Sequence, residues 1–199
     1  SEGRGLAESA QSTPLQSGPI PGYVRGVLRI LAERGETIQP GDVIMHNDAY
    51  AGASHGPDVG FIVPVFHEDA LIAFATTTAH HLDIGALTPG SCGIVDAIDA
   101  YAEGLQFKAI KVYEQGQKVV PVWHLLRDNI RVSDLVVGDM EAQIAAARRF
   151  YNAAVTQLNN SVEIFPGNLL AGFAKASVMP FYETDEGSKQ PVDASAFLN

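Results

Sequence analysis

Residues 41–85 read GDVIMHNDAYAGASHGPDVGFIVPVFHEDALIAFATTTAHHLDIG. Two runs inside this stretch, 59–66 and 71–78, are rich in β-branched and aromatic residues. The four residues between them, HEDA, suit a hairpin connection, and the second run delivers Ala79-His80-His81-Leu82-Asp83 at its far end. Upstream, 43–46 predicts a short strand after the turn-forming Gln39-Pro40-Gly41-Asp42. Residues 47–58, NDAYAGASHGPD, carry no apolar periodicity. That is a long loop for a compact domain, which favours a functional role.

Outward from the hairpin, Pro21 opens a predicted helix over 22–34, with Val24, Val27, Leu28 and Leu31 on one stripe and Gly35 as its stop. Residues 1–19 read as extended chain or loop, with Leu6-Ala7 and Leu15 marking short strands. Downstream, the pattern predicts a loop over 84–93, a short helix over 94–102, a strand near 107–113 and a turn at 114–117 leading into 118–120. Short helical pieces are expected at 122–130 and 134–137, and a longer helix at 139–158. Beyond it come a turn at 164–167, a helix at 168–178 and an extended or poorly ordered end. The fold class is therefore α+β: a mixed or antiparallel sheet with a central hairpin and packed helices. Residues 1–158 are expected to form one metal-site domain, and 159–199 an extended or helical extension packed on a partner.

The 199 residues suffice for one substantial core. A net charge of −10 argues against nucleic acid or an anionic membrane surface as the main partner. The lone cysteine, Cys92, cannot form an internal disulfide, and it reads as an inert thiol in a reducing, cytoplasmic setting. No run approaches the ~20 apolar residues of a membrane span, and the opening SEGRGLAESAQS lacks the apolar core of a signal peptide. The missing initiator Met suggests a processed product or a piece of a longer polypeptide. No GxGxxG or Walker signature is present, so ATP is not expected to bind this chain itself.

Charge is distributed unevenly. Residues 41–85 hold five of the six histidines, and from Glu36 to Glu103 there are ten acidic residues and no Lys or Arg. Such a region is prepared for a cation. His55 and Asp58 are separated only by Gly56-Pro57, and a 59–66/71–79 pairing would bring both beside His80. Two imidazoles and a carboxylate suit Zn, Mn or Fe(II) and leave open positions for water or substrate. A His-x-x-Asp pair alone is common by chance, and strand alternation sends His80 and His81 to opposite faces. His46 and His67 read as ordinary residues at a strand end and in a hairpin turn. Asp83 is either a group orienting a histidine or a loop cap. Asn47 and Asp48 either cap their own turn or bond within the site. Ser54-His55 adjacency makes no triad, because adjacency does not supply the geometry. Lys108, Lys111 and Lys118 read as solvated charges.

Residues 47–58 resemble the NDPYxGGxHxPD signature of the hydantoinase B/acetone carboxylase α-subunit family. Ala79 to Gly90 resemble its AHHxDIGGxTPG motif, and Glu103-Gly104-Leu105 through Lys111 and Tyr113 its EGLxxxxxKxY segment. Asp128-Asn129-Ile130-Arg131, Gly138-Asp139 and Gln143-Ile144-Ala145-Ala146 also match, and the likeness covers about residues 4–155. The resemblance implies metal ligands at His55, Asp58 and His80, with a further aspartate upstream of this chain. Around these ligands, His81 or Asp83 is expected to act in orientation or proton transfer, and Asn47 and Asp48 are expected to belong to the catalytic site. The resemblance also implies a large ATP-using, hydantoinase A-like partner subunit, the remaining piece of the hydantoinase B-like subunit, and a small-molecule substrate within a multi-chain fold. The leading expectation is an ATP-dependent cyclic-amide hydrolase. A ketone carboxylase and a non-catalytic assembly subunit are the alternatives. Ala49, Ala53, Ala86 and Gly56 depart from the family pattern and bear on substrate fit more than on metal binding.

Overall fold

β2 (Asp58–His67) and β3 (Ala70–His80) form the hairpin that the sequence predicts, slightly longer at each end. The computed structural model describes residues 3–5, 7–9, 12–67, 69–89, 97–163, 178–179 and 181. β1 (Val43–His46), β4 (Ile110–Glu114) and β5 (Gln117–Lys118) complete a five-stranded antiparallel sheet in the order β3-β2-β1-β4-β5. β2 is an inner strand, paired on both sides and buried over its first eight residues, which is why DVGFIVPV reads as a nearly unbroken apolar run. Pro64 is tolerated there because the β1 pairing ends at Ile62, so no ladder bond on that side needs its missing N–H.

Alternation along β1 and β2 divides the core into two layers. Val43, Met45, Val59, Phe61, Val63 and Val65 pack against α3 (Val120–Asn129) and α4 (Ser133–Glu163), through residues such as Trp123, Leu126, Met140 and Ile144. Ile44 and Ile62 face the other way, onto Val27, Ile30 and Leu31 of α2 (Ile20–Arg34). Gly35, in the left-handed region at φ 66°, caps α2 as expected. A short helix α1 (Pro14–Ser17) precedes α2, so Leu15 lies in a helix and not in a strand. Proline at the first helical position favours that turn.

Three further expectations change. Residues 134–158 belong to one continuous helix, α4, running through Gly138. Burial of Val136, Val137, Met140, Ile144 and Ala147 along one stripe keeps it helical across that glycine. Residues 97–102 form bends and turns rather than helix, with Asp99 accepting from the backbone N–H of Tyr101 and Ala102. Lys111 is not simply solvated: its ammonium lies 3.0 Å from the fully buried carboxylate of Asp42. Lys118 pairs with Glu141 at 2.6 Å and lies over the Trp123 ring. Cys92, the 164–167 turn and residues 168–177 of the expected 168–178 helix lie outside the described residues, and Val178, which is described, is not helical. Met179 is buried in the α3/α4 layer, with its backbone N–H and C=O both bonded to the Asn159 amide.

Candidate metal centre

The site lies on the α2 side of the sheet, at the open end of the β2–β3 hairpin. Asp58 and His80 are direct cross-strand partners, so their side chains share a face. The tight turn through Gly56-Pro57 brings His55 back over them, with Asp58 N–H donating to His55 O at 3.2 Å. His55 Nε2 lies 3.3 Å from Asp58 Oδ2, and the His55 and His80 rings are 5.2 Å apart. The ligand atoms of His55, Asp58 and His80 all lie within 4.8 Å of one another. Two donors at about 2.1 Å from one ion are roughly 3.0–3.6 Å apart at the bond angles of tetrahedral to octahedral sites, so side-chain rotations that close the present spacing by about an ångström bring the three onto one centre. The donor set itself, two imidazoles and one carboxylate, is one that a divalent Zn, Mn or Fe ion takes. Asp58 is 3% exposed, whereas His80 faces solvent and leaves the centre accessible.

The loop carrying His55 is held by partners distant in sequence. Asn47 Nδ2 donates to Gly56 O at 2.7 Å and Leu105 O at 3.0 Å, while its Oδ1 accepts from Phe107 N at 2.6 Å. Glu103 Oε2 accepts from Gly56 N at 2.9 Å, so both polar groups of the Gly56 backbone are engaged. Asp48 Oδ1 caps the 3-10 turn Ala49–Ala51 through Tyr50 N at 3.0 Å, and its Oδ2 meets Lys108 at 3.4 Å. That turn sits hard on α2. A Cβ at Gly26 would lie 1.6 Å from Ala51 O, and one at Gly22 2.5 Å from Gly52 O, so only glycine permits this approach.

His81 and Asp83, the other two expected site residues, point elsewhere. His81 turns towards α4, where its Nε2 meets Gln143 Oε1 at 3.0 Å; Gln143 Nε2 in turn donates to Val59 O. Burial pushes the His81 pKa below its ordinary value. Asp83 is fully engaged at the base of the 81–87 loop, its Oδ1 accepting from Gly85 N and Arg131 Nη1 (both 2.9 Å) and its Oδ2 from Arg131 N at 3.1 Å. His46 is completely buried at the end of β1, beneath Ala51 O and Ala109 N. His67 ends β2 at the far end of the hairpin, away from the centre.

Two residues outside the expected site set touch the triad: Tyr23, which sequence reasoning passed over, and Ser54, which it weighed only as a nucleophile beside His55. Ser54 Oγ donates to Asp58 Oδ2 at 2.6 Å, and the Tyr23 hydroxyl donates to Asp58 O at 2.7 Å. The helical stripe of α2 extends to Tyr23, so its burial was readable; its hydroxyl partner, 35 residues away, was not.

The family model described as hydantoinase B/oxoprolinase matches residues 1–161. The chain is 70% identical over 146 residues to the B component of a putative D-/L-hydantoinase from Pseudomonas sp. (strain NS671), covering 73% of this chain and 25% of that protein. It is 40% identical over 113 residues to the beta chain of the caprolactamase of Pseudomonas jessenii, covering 56% of this chain and 19% of that one. The crystal structure of the ATP-dependent caprolactamase from Pseudomonas jessenii matches the fold with a TM-score of 0.64 at 28% identity, over 84% of this chain and 28% of that chain. The chain thus spans about a quarter of the length of these relatives. No described helix is long and apolar enough to cross a membrane. With its family model, its relatives and its antiparallel α+β fold in agreement, the chain belongs to the hydantoinase B/oxoprolinase family and carries a candidate metal-binding triad.

Proposed function

We propose that the chain is the metal-binding portion of the hydrolytic subunit of an ATP-dependent cyclic-amide hydrolase, acting on a substrate that a partner ATPase subunit has activated. The convergence of His55, Asp58 and His80 carries this reading, in a chain 70% identical to the B component of a putative hydantoinase. Hydantoin, oxoproline and caprolactam, the compounds in the names of the family and its relatives, are all cyclic amides. One reaction type, the opening of a ring C–N bond, covers them.

Zinc, manganese or iron held by His55, Asp58 and His80 would polarise the carbonyl and lower the pKa of bound water. The chain's own residues prepare that centre. Asp58 supplies the negative charge, and the two imidazoles supply neutral donors. Asn47 and Glu103 clamp the Gly56 peptide so that His55 and Asp58 face one point. In ring opening, water adds to the activated carbonyl carbon, the C–N bond breaks with the nitrogen taking up a proton, and a second water releases the activating phosphate derived from ATP. Exposed His80 borders the solvent side, from which water and substrate would arrive. Asp48, His81 and Asp83 are assigned to holding the flanking loops, through Tyr50, Gln143 and Arg131.

Elemental analysis of the purified chain, with and without His55→Ala, tests the centre. About one ion per chain, lost in the variant, is expected; no ion in either sample would count against the proposal. Reconstitution with the ATP-using partner and the rest of the family subunit tests the reaction. ATP-dependent opening of a cyclic amide is expected, whereas bicarbonate-dependent ATP turnover with a ketone would move the assignment to the carboxylase reading.

A further inference from the structure

Asp58 is gripped at both ends. Its carboxylate accepts from Ser54 Oγ at 2.6 Å, and its main-chain carbonyl accepts from the Tyr23 hydroxyl at 2.7 Å. The two gripping residues also touch each other, with Tyr23 Oη 3.1 Å from Ser54 Oγ and Ser54 N–H directed at Tyr23 Oη over 3.4 Å. Proton accounting fixes the directions. An ionised carboxylate only accepts, so the single hydroxyl proton of Ser54 goes to Oδ2. The phenol proton then goes to Asp58 O, the nearer of its two acceptors.

The Tyr23 ring is held with equal care. It is fully buried, it lies edge-on to His46 with ring centroids 5.9 Å apart, and it rests on β2 at Gly60. A Cβ at Gly60 would meet the ring at 2.5 Å, so a bare α-carbon is what lets the ring reach Asp58. α2 therefore projects a rigid hydroxyl onto the backbone of a proposed ligand, while the loop serine aims the same residue's carboxylate.

We infer that Ser54 and Tyr23 are positioning residues for the metal centre, with Ser54 orienting the Asp58 carboxylate and Tyr23 anchoring both Asp58 and Ser54. The inference rests on the triad holding a divalent ion. Without the serine hydroxyl, Asp58 Oδ2 keeps His55 Nε2 as its near neighbour at 3.3 Å, and that pair competes with an ion for both ligands. Hydrogen-bond partners of metal ligands typically contribute 10–100-fold to affinity.

The test is calorimetric titration of the 199-residue chain with Zn²⁺ and with Mn²⁺, beside thermal melting without metal and the visible spectrum of the Co²⁺-loaded chain. The variants are Ser54→Ala, Ser54→Thr, Tyr23→Phe and, as control, Asp58→Asn. The expected result is about 10–100-fold weaker binding in Ser54→Ala and Tyr23→Phe, an altered Co²⁺ spectrum, a metal-free melt lowered only by the loss of one buried hydrogen bond, and recovery in Ser54→Thr. A purely structural role would lower the melt and leave the Co²⁺ spectrum alone. Wild-type affinity and spectrum in Ser54→Ala would overturn the inference while leaving the metal centre standing. An unmodified chain that takes up no ion would overturn the metal centre itself, and this inference with it. If Ser54→Ala does not fold, Tyr23→Phe decides by the same readings.

Discussion

Asp58 stands directly opposite His80 across the β2–β3 ladder, so the register of one hairpin sets the spacing of two proposed ligands. Because strand side chains alternate, a slip of one residue would send one of them to the α4 face. Binding of an ion by the folded chain alone must stabilise it. A divalent ion at a hundred times its dissociation constant adds about 2.7 kcal/mol, seen as a rise in melting temperature that a chelator reverses. Asp58→Asn keeps the shape and removes the charge, and it is expected to abolish the rise. A variant that still responds to the ion as the parent does would show that Asp58 is no ligand.

Asn47 tests whether the loop is preformed. Its side chain is 1% exposed and satisfies Gly56 O, Leu105 O and Phe107 N together. Asn47→Ala leaves buried backbone groups unpaired, and each such loss costs about 1–3 kcal/mol. Asn47→Asp keeps the acceptor for Phe107 N but sets a buried carboxylate oxygen against the carbonyls of Gly56 and Leu105, so damage at least as large as that of alanine is expected. Denaturant titrations of the three proteins give the ranking. An Asn47→Ala protein as stable as the parent would mean that water replaces these bonds at no cost.

The hairpin, its register and the convergence of His55, Asp58 and His80 were readable because they depend on local patterns: β-branched runs, a four-residue connection and two-residue alternation. The opposite facing of His80 and His81 follows from the same period. What could not be read depends on partners far along the chain. Asn47 finds Phe107 sixty residues away, Asp83 finds Arg131, and Tyr23 finds Asp58, with no periodic trace of any of these pairings. The unbroken α4 was hidden for another reason. Gly138, a weak helix former, lies between the two expected helical pieces, and the burial of Val136, Val137 and Met140 on either side of it offsets that weakness.

His46 gives the chain a pH dependence of definite sign. Burial holds its pKa below the ordinary 6.5. In the fold, Nδ1 accepts from Ala109 N and Nε2 donates to Ala51 O, the bonding pattern of a neutral ring. The unfolded chain takes up this proton as the pH drops through about 6.5, and the folded chain does not. The unfolded state then binds more protons, and stability falls with pH until the depressed folded value is passed. The slope from this one group is at most about 1.4 kcal/mol per pH unit. Urea unfolding between pH 8 and pH 5, on the parent and on His46→Gln, measures it. The variant is expected to be weaker at pH 8 but flatter towards pH 5. Parallel curves would remove His46 as the source.

Gly26 and Gly138 are both helical glycines, and they should respond to alanine in opposite directions. At Gly26 a Cβ would fall 1.6 Å from Ala51 O and 3.3 Å from His46 Nε2, so α2 would have to lift off the 49–52 turn. A cost of about 3 kcal/mol or more is expected for such overpacking. Because the same turn leads into Ser54 and His55, ion binding should weaken as well. At Gly138 nothing lies within 4 Å of the added carbon and the backbone is ordinary helix. Alanine there removes backbone freedom from the unfolded chain alone, for a gain of about 0.5–1 kcal/mol. Parallel thermal melts of Gly26→Ala and Gly138→Ala settle both. Shifts of the same sign would mean either that the helix–turn contact yields freely or that α4 needs its glycine for a reason other than local space.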